Sequence, residues 1–290
     1  MGVKASELLQ YGADVLKEAE IADWNYDSRV LLEWICQISR MDLILYPSME
    51  VEDGKVLEYK AYIKRRAEHE PLQYLMGEWE FMGLPFQVNP SVLIPRQDTE
   101  VLIEWILERE SREGNLSSKN ILDVCTGSGC IAISLDVLWR EKNLCPWKVE
   151  ALDISSEALR TARANNELNH GRVLFHESNM FEQIEETYDV IVSNPPYIPT
   201  KVVDGLMAEV VKHEPRLALD GMEDGLHFYR ILAHEGRQHL KPGGRLYLEI
   251  GHDQGQTVTE ILEKEGFTEI EVRKDLAGLD RCVRAVFPGL

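Results

Sequence analysis

The segment Ile121-Leu122-Asp123-Val124-Cys125-Thr126-Gly127-Ser128-Gly129-Cys130 decides the fold. Its first four residues form a run of strand length, and the next six make a small, glycine-containing turn. Ile131, Ile133, Leu135 and Leu138 then mark a helix. Glycines at a strand-to-helix turn let a ligand approach the backbone closely. Downstream, Val149-Glu150-Ala151-Leu152-Asp153 reads as a second strand closing on a carboxylate. A carboxylate there can accept both hydroxyls of a ribose, as in dinucleotide folds. The other reading of Asp153 is a helix cap, a job Ser155 or Ser156 could equally do. Cys-Thr-Gly-Ser-Gly is tighter than the Gly-x-Gly-x-x-Gly of a pyrophosphate site. A tighter loop suits a ligand without phosphates whose amino-acid tail lies against it, and S-adenosylmethionine fits that description. The candidate cofactor residues are therefore Cys125, Thr126, Gly127, Ser128, Gly129 and Asp153. A third strand, Val173 to His176, leads to Asn179 and Met180. Asn179 could bond an adenine edge and Met180 could cover its face, since a thioether packs adaptably. The alternative is that Met180 and Phe181 are simply core.

A fourth apolar run, Val190-Ile191-Val192-Ser193, ends in Asn194-Pro195-Pro196-Tyr197. Neither proline can donate to a sheet ladder, so the strand stops there. Asn194 offers a side-chain carbonyl as acceptor. Pro195 precedes another proline, so its backbone is extended and its carbonyl is free to point outward. Tyr197 supplies a flat face. Two acceptors beside an aromatic wall would hold a planar NH2 group and aim its lone pair at an electrophile. Asn194, Pro195 and Tyr197 are the candidate catalytic residues, and Asn194, Pro195, Pro196 and Tyr197 the candidate substrate site. An ordinary strand-ending turn is the plainer reading of the same four letters. Ligands bind beyond the carboxyl ends of the strands in open α/β sheets, so the glycine loop, Asp153 and Asn194 should share one crevice.

The 290 residues suffice for two modest domains or one large one, and 44% hydrophobic residues support a packed core. Fifty Asp and Glu against 31 Lys and Arg give a formal charge of −19. That balance argues against binding duplex nucleic acid, where neutralisation of phosphates supplies most of the affinity. Five scattered cysteines (Cys36, Cys125, Cys130, Cys145, Cys282) and eight histidines form neither Cys-x-x-Cys nor His-Glu-x-x-His. This pattern predicts no metal site and a reducing, cytoplasmic setting. No apolar run approaches a membrane span, and no membrane partner is expected.

Residues 3 to about 75 read as helices. Leu8, Leu9, Val15 and Leu16 make one face, Asp27 can cap a second helix, and Val56, Tyr59, Ile63 and Ala67 mark a third. Lys64-Arg65-Arg66 reads as a solvated face. This region is either a packing bundle or a docking domain for a macromolecular substrate. Glu78 to Val88 fits a short hairpin. Asp98 or Thr99 can cap the next helix, which carries Val101, Leu102, Trp105 and Ile106. Residues 198 to 222 form a long polar connection, Leu226 to Leu240 a helix stopped by Pro242-Gly243-Gly244, and Leu246 to Ile250 a fifth strand. A helix from about Gln254 to Lys264 and two strands near 270–272 and 281–287 follow. Two final strands without an intervening helix suggest an antiparallel hairpin closing the sheet.

With these segments in view, the chain resembles the protein-(glutamine-N5) methyltransferases that modify class I peptide chain release factors. The matching segments include Glu70-Pro71 with Tyr74 to Gly77, Leu93-Ile94-Pro95-Arg96 with Asp98-Thr99-Glu100, Asp123 to Cys130, and Asn194 to Tyr197. Glu214 to Leu219, Asp224-Gly225-Leu226, Leu240 to Gly244 and Glu249-Ile250-Gly251 also agree. The resemblance implies a Rossmann-like class I methyltransferase domain of α/β class, a seven-stranded mixed sheet over residues 91–290. It implies a small all-α substrate-recognition domain over 1–76 and a β-hairpin linker over 77–90. Cys125 to Gly129 would cradle the methionine part of S-adenosyl-L-methionine, Asp153 would take the ribose, and Met180 would border the adenine. Asn194 would sit between cofactor and substrate, and Asn194 to Tyr197 would bind the glutamine amide of the release factor. S-adenosyl-L-homocysteine would be the product, and the enzyme would be a monomer. Three departures stand out: Cys125 where glycine is commoner, Gln97 where proline is commoner, and one of two usual glycines missing from Gly221-Met222-Glu223-Asp224. Cys125 fits the turn if its φ is negative. A DNA or RNA amino-methyltransferase shares the four-residue turn and the glycine loop but not the Ile-Pro-Arg connector. The other rival is a cofactor-binding module without catalysis.

Overall fold

The computed structural model describes residues 2–112, 118–142 and 147–289. The strands are β1 Val3–Lys4, β2 Glu50–Val51, β3 Glu78–Phe81, β4 Leu84–Gln87, β5 Asn120–Val124, β6 Lys148–Asp153, β7 Leu174–Glu177, β8 Tyr188–Ser193, β9 Leu240–Glu249, β10 Thr268–Lys274 and β11 Asp280–Val286. The helices are α1 Ala5–Glu18, α2 Trp24–Cys36, α3 Arg40–Leu45, α4 Asp53–Ala67, α5 Leu72–Met76, α6 Gln97–Arg112, α7 Cys130–Glu141, α8 Ser156–Leu168, α9 Thr200–Val203, α10 Ala208–His213, α11 His227–His234 and α12 Gly255–Lys264. They form two compact units: residues 1–78 with 207–213, and residues 79–206 with 214–290.

In the first unit, α1, α2 and α4 share a core of Leu8, Leu16, Leu31, Leu32, Ile35, Tyr59 and Ile63. Two charges there differ from the sequence reading. Asp27 does not cap α2, which starts at Trp24; it lies buried in the first turn, with Arg66 Nε at 2.7 Å from its carboxylate. Arg66 is not solvated but 6% exposed, and its Nη2 donates to Glu209 of α10 at 2.7 Å. A buried guanidinium persists when its donors meet acceptors, and here two carboxylates and the Glu70 carbonyl supply them.

In the second unit, the sheet runs β10-β11-β9-β8-β5-β6-β7. The five strands from β9 to β7 are parallel, and β11 is antiparallel to both β9 and β10. Alternate strand residues feed two cores. Ile121, Val190, Val192 and Tyr247 join the core carrying α6 and α7, while Leu122, Ile191, Leu246 and Leu248 join the core carrying α11 and α12. Burial on both faces explains why these strands read as continuous apolar runs. The hairpin β3–β4 and the closing hairpin β10–β11 lie where the sequence places them. One boundary differs: α11 ends at His234, and Lys241-Pro242-Gly243-Gly244 belongs to β9. Pro242 and the left-handed Gly243 (φ 77°) sit where the register against β8 shifts, so they bend a strand instead of stopping a helix.

Candidate active site

Register brings the chemistry to one edge. Val124 of β5 pairs with Leu152 of β6 and with Ser193 of β8, and Ser193 pairs with Leu248 of β9. The next residues of those strands are Cys125, Asp153, Asn194 and Glu249. Neighbouring strands lie about 4.8 Å apart, so these four residues leave the sheet as one row. Strand order reverses between β5 and β8, and an open crevice is expected at that point. A cavity of about 410 Å³ lies there, walled by Cys125 to Ser128, Asp153, Ile154, Asn179, Met180, Asn194, Pro196 and Phe228 among others.

The turn after β5 is fastened by its own backbone. Thr126 N donates to Leu152 O at 2.9 Å, and Thr126 Oγ1 donates to Asp123 Oδ2 at 2.6 Å. Gly127 N donates to Asp153 Oδ2 at 2.8 Å, tying the turn to the carboxylate. Gly127 has φ 55°, and a Cβ there would meet nothing within 4 Å, so one side of the turn stays open. Gly129 is needed for packing instead. A Cβ there would come within 2.8 Å of Ile133 Cδ1 and 3.2 Å of Ala162 Cβ, so its absence lets α7 approach α8. Ser128 is buried, and its carbonyl accepts from Asn165 Nδ2 at 2.9 Å.

Cys125 departs from the expected negative φ; its φ is 62°. In the segment that lacks the second glycine, Met222 has φ 69°. Both departures from the resembled family therefore place a side chain on left-handed backbone, where the Cβ crowds the following carbonyl. Burial holds the Cys125 thiol well above its ordinary pKa, helped by the charges of Asp153 and Asp123. The thiol is thus a packing group, 4.0 Å from Met180 Sδ.

Asp153 does not cap α8; Ser155 does, accepting from Ala158 N at 3.1 Å. Asp153 Oδ1 accepts from Ser155 N at 2.9 Å. Burial raises its carboxyl pKa, and the backbone N–H groups of Ser155, Gly127 and Ile154 pull it back. Each oxygen has further lone-pair capacity, which suits paired hydroxyls. Asn179 Nδ2 is held by Glu182 Oε1 at 2.8 Å, leaving its carbonyl oxygen for a ligand.

Asn194 is half-buried, and its Nδ2 donates to Thr99 Oγ1 at 3.3 Å, so Oδ1 is the end left for a partner. Pro195 and Pro196 are buried, and of the four turn residues Asn194 and Pro196 reach the cavity wall. Tyr197 is half-buried and engaged away from that wall: its hydroxyl lies 3.4 Å from Glu249 Oε1, and burial raises its pKa far above the ordinary value. Its carbonyl accepts from Gln254 Nε2 at 3.0 Å. Gly221 closes behind the turn, since a Cβ there would lie 2.8 Å from Tyr197 Cα.

Sequence reasoning missed the support of this turn. Thr99 does not cap α6; it is 2% exposed and faces Asn194. Glu249 is 1% exposed. Its signal was present as a carboxylate inside the apolar run Leu246-Tyr247-Leu248-Glu249-Ile250. Arg96 lines the cavity and pairs with the buried Glu214. Among the described residues no group of three His, Cys, Asp or Glu is placed to hold a metal ion, and no helix is long and apolar enough to cross a membrane. Cys145 lies outside the described residues.

Comparison with known proteins agrees with this geometry. Residues 7–77 match the family model described as the PrmC N-terminal domain, and residues 97–221 match the methyltransferase small domain. A release factor glutamine methyltransferase of Flavobacterium psychrophilum is 38% identical over 97% of each chain. One of Clostridium acetobutylicum is 40% identical over 99% of this chain and all of the relative. Among solved structures, the hMettl16 catalytic domain shares the fold at a TM-score of 0.56 and 15% identity, covering 81% of this chain and 82% of that one. Full-length identity at this level, together with both domain matches, places the protein: the chain belongs to the release factor glutamine methyltransferase family.

Proposed function

We propose that the protein transfers a methyl group from S-adenosyl-L-methionine to the side-chain amide nitrogen (N5) of the Gly-Gly-Gln glutamine in class I peptide chain release factors, modulating termination. The observation that carries the reading is the placement of Asn194. It borders the cavity walled by the glycine turn and Asp153, with its NH2 held by Thr99 and its carbonyl oxygen left to accept. The residues present suit the cofactor: an open glycine turn for an amino-acid tail, a carboxylate for hydroxyls, and Asn179 and Met180 for a base.

When bound, the cofactor supplies an electrophilic methyl on sulfur. The chain does the rest by position. Asn194 Oδ1 and the Pro195 carbonyl hold the two N–H bonds of the amide, and Pro196 and Tyr197 stiffen the turn that carries them. An amide nitrogen is a poor nucleophile, so the gain lies in fixing its lone pair along the line of transfer. No strong base is required, because the nitrogen becomes acidic as it attacks.

The helical unit, residues 1–76 of the sequence reading, serves as the recognition domain for the protein substrate, with 77–90 as linker. The protein acts as a cytoplasmic monomer without duplex nucleic acid or membrane partners, which the charge of −19 favours. Mass spectrometry of a purified release factor, incubated with enzyme and cofactor, tests the reading. A single added methyl on the glutamine is expected, and methylation of an oligonucleotide in its place would overturn it.

A further inference from the structure

Met222 sits on backbone that methionine disfavours, and its side chain is not buried in return. Its φ is 69°, yet the residue is 48% exposed. Cys125, also left-handed, is by contrast packed 4.0 Å from Met180 Sδ. Left-handed backbone outside glycine persists where its surroundings fix it, and it gathers at functional sites. Met222 is fixed through both of its backbone polar groups. Its N–H donates to Asp220 Oδ1 at 3.0 Å, and its carbonyl accepts from Thr200 N at 2.9 Å. Gly221, just before it, donates to the Ile198 carbonyl at 2.8 Å. A Cβ on Gly221 would lie 2.8 Å from Tyr197 Cα and 2.9 Å from the Pro196 oxygen. The segment is therefore laced to the chain that leaves Asn194-Pro195-Pro196-Tyr197, at the end of the cavity where the substrate amide is read.

Met222 lines the cavity together with Leu217, Pro196 and Asn194. Leu217 is exposed as well, so both side chains offer apolar surface to whatever enters. A glutamine side chain is short. Seating its carboxamide on Asn194 draws the peptide backbone beside it down to that rim. A glycine there, lacking a Cβ, lets the backbone lie against the thioether. Any side chain is driven into Met222, whose own backbone is tied and cannot retreat. The thioether is adaptable, so the exclusion is graded and not absolute. We propose that Met222 is a specificity-determining residue: it favours a glutamine whose chain neighbour is glycine over one whose neighbour carries a side chain. Since the resembled family commonly has glycine here, this chain has the narrower entrance. The inference rests on the methyl-transfer reading above, which supplies the glycine.

The test compares kcat/KM, at saturating cofactor, on a release factor carrying Gly-Gly-Gln and on one carrying Gly-Ala-Gln. Wild type should favour the glycine substrate by about ten- to two-hundredfold, the range for one methyl group at an apolar wall. Met222→Ala shortens the side chain but keeps the left-handed demand on the backbone, whereas Met222→Gly removes both. Each should lower the preference by about tenfold, and Met222→Leu, of similar bulk, should keep it. Met222→Gly should unfold at no lower temperature than wild type, since glycine suits that backbone, so its change of selectivity cannot come from a damaged fold. Cofactor affinity, read by calorimetry, should be unchanged in Met222→Ala. An undiminished preference in both shortened variants overturns the proposal. So does relaxation in Met222→Gly alone, which would assign the selectivity to the backbone, or a loss of cofactor affinity in Met222→Ala, which would place the side chain at the cofactor end. Failure of wild type to methylate the Gly-Gly-Gln protein would instead overturn the methyl-transfer reading itself.

Discussion

In the helical unit, buried charge is matched: Arg66 meets Asp27 and Glu209, each at 2.7 Å. In the sheet unit, Asp123 and Glu249 are more deeply buried, and neither makes an ion pair among the described residues. Asp123 Oδ2 rests on the Thr126 hydroxyl and Glu249 Oε1 on the Tyr197 hydroxyl, while the second oxygen of each carboxylate is buried with no hydrogen-bond partner among the described residues. Burial drives both carboxyls up to about 7. The difference separates a charge kept for architecture from charges kept at a site. Burial raises the Asp27 carboxyl as well, but Arg66 pulls it back, whereas Asp123 and Glu249 have no ion-pair partner among the described residues to do so, and groups of that kind gather at functional edges.

The contrast can be broken most forcefully at the site itself. Asn194→Ala should lower turnover by roughly a thousandfold while cofactor affinity, read by calorimetry, is largely kept. Next comes the paired charge. Arg66→Met leaves Asp27 and Glu209 without their cation and should cost about 3–5 kcal/mol in denaturant unfolding. Restoring most of that loss by adding Asp27→Leu would confirm that the orphaned carboxylate, and not the missing packing, is responsible.

Asp123→Asn should act in the opposite direction. The Asp123 carboxyl stands at about 7 when folded against 3.8 as a free side chain, so the folded protein holds a proton that the unfolded chain has released. Stability must then fall as pH rises from about 4 through 7. The amide removes that dependence and should raise stability at pH 8 by about 1–3 kcal/mol, seen as a flatter curve of melting temperature against pH. The smallest effect belongs to the backbone. Cys125→Gly relieves left-handed strain worth about 1–2 kcal/mol, partly offset by the greater freedom of glycine in the unfolded chain. A net gain of up to about 1 kcal/mol in thermal unfolding is expected, and a loss would mean that the Cys125–Met180 contact outweighs the strain.

Much of this was legible beforehand because it is local. Glycine spacing after Val124, the two prolines after Asn194 and the double-apolar strands dictate short-range geometry, and the structure places Cys125, Asp153 and Asn194 on one edge as expected. What escaped reading has a common cause. Thr99, Asp27 and Arg66 each have a reasonable local role, as helix cap or solvated face, and each is claimed by a partner far away in the chain. Asp27 and Arg66 are 39 positions apart, and Thr99 and Asn194 are 95 apart.

The sequence by itself determined the order of elements, the open turn, the proline-stiffened strand end and the family, since these depend on backbone preference and residue spacing. Only the tertiary structure decided which hydroxyl holds Asn194, which way its amide faces, that Tyr197 engages Glu249, and that Cys125 accepts a left-handed backbone. Those outcomes depend on strand register and burial, which bring together groups that no local pattern can pair and remove the water that would otherwise satisfy them.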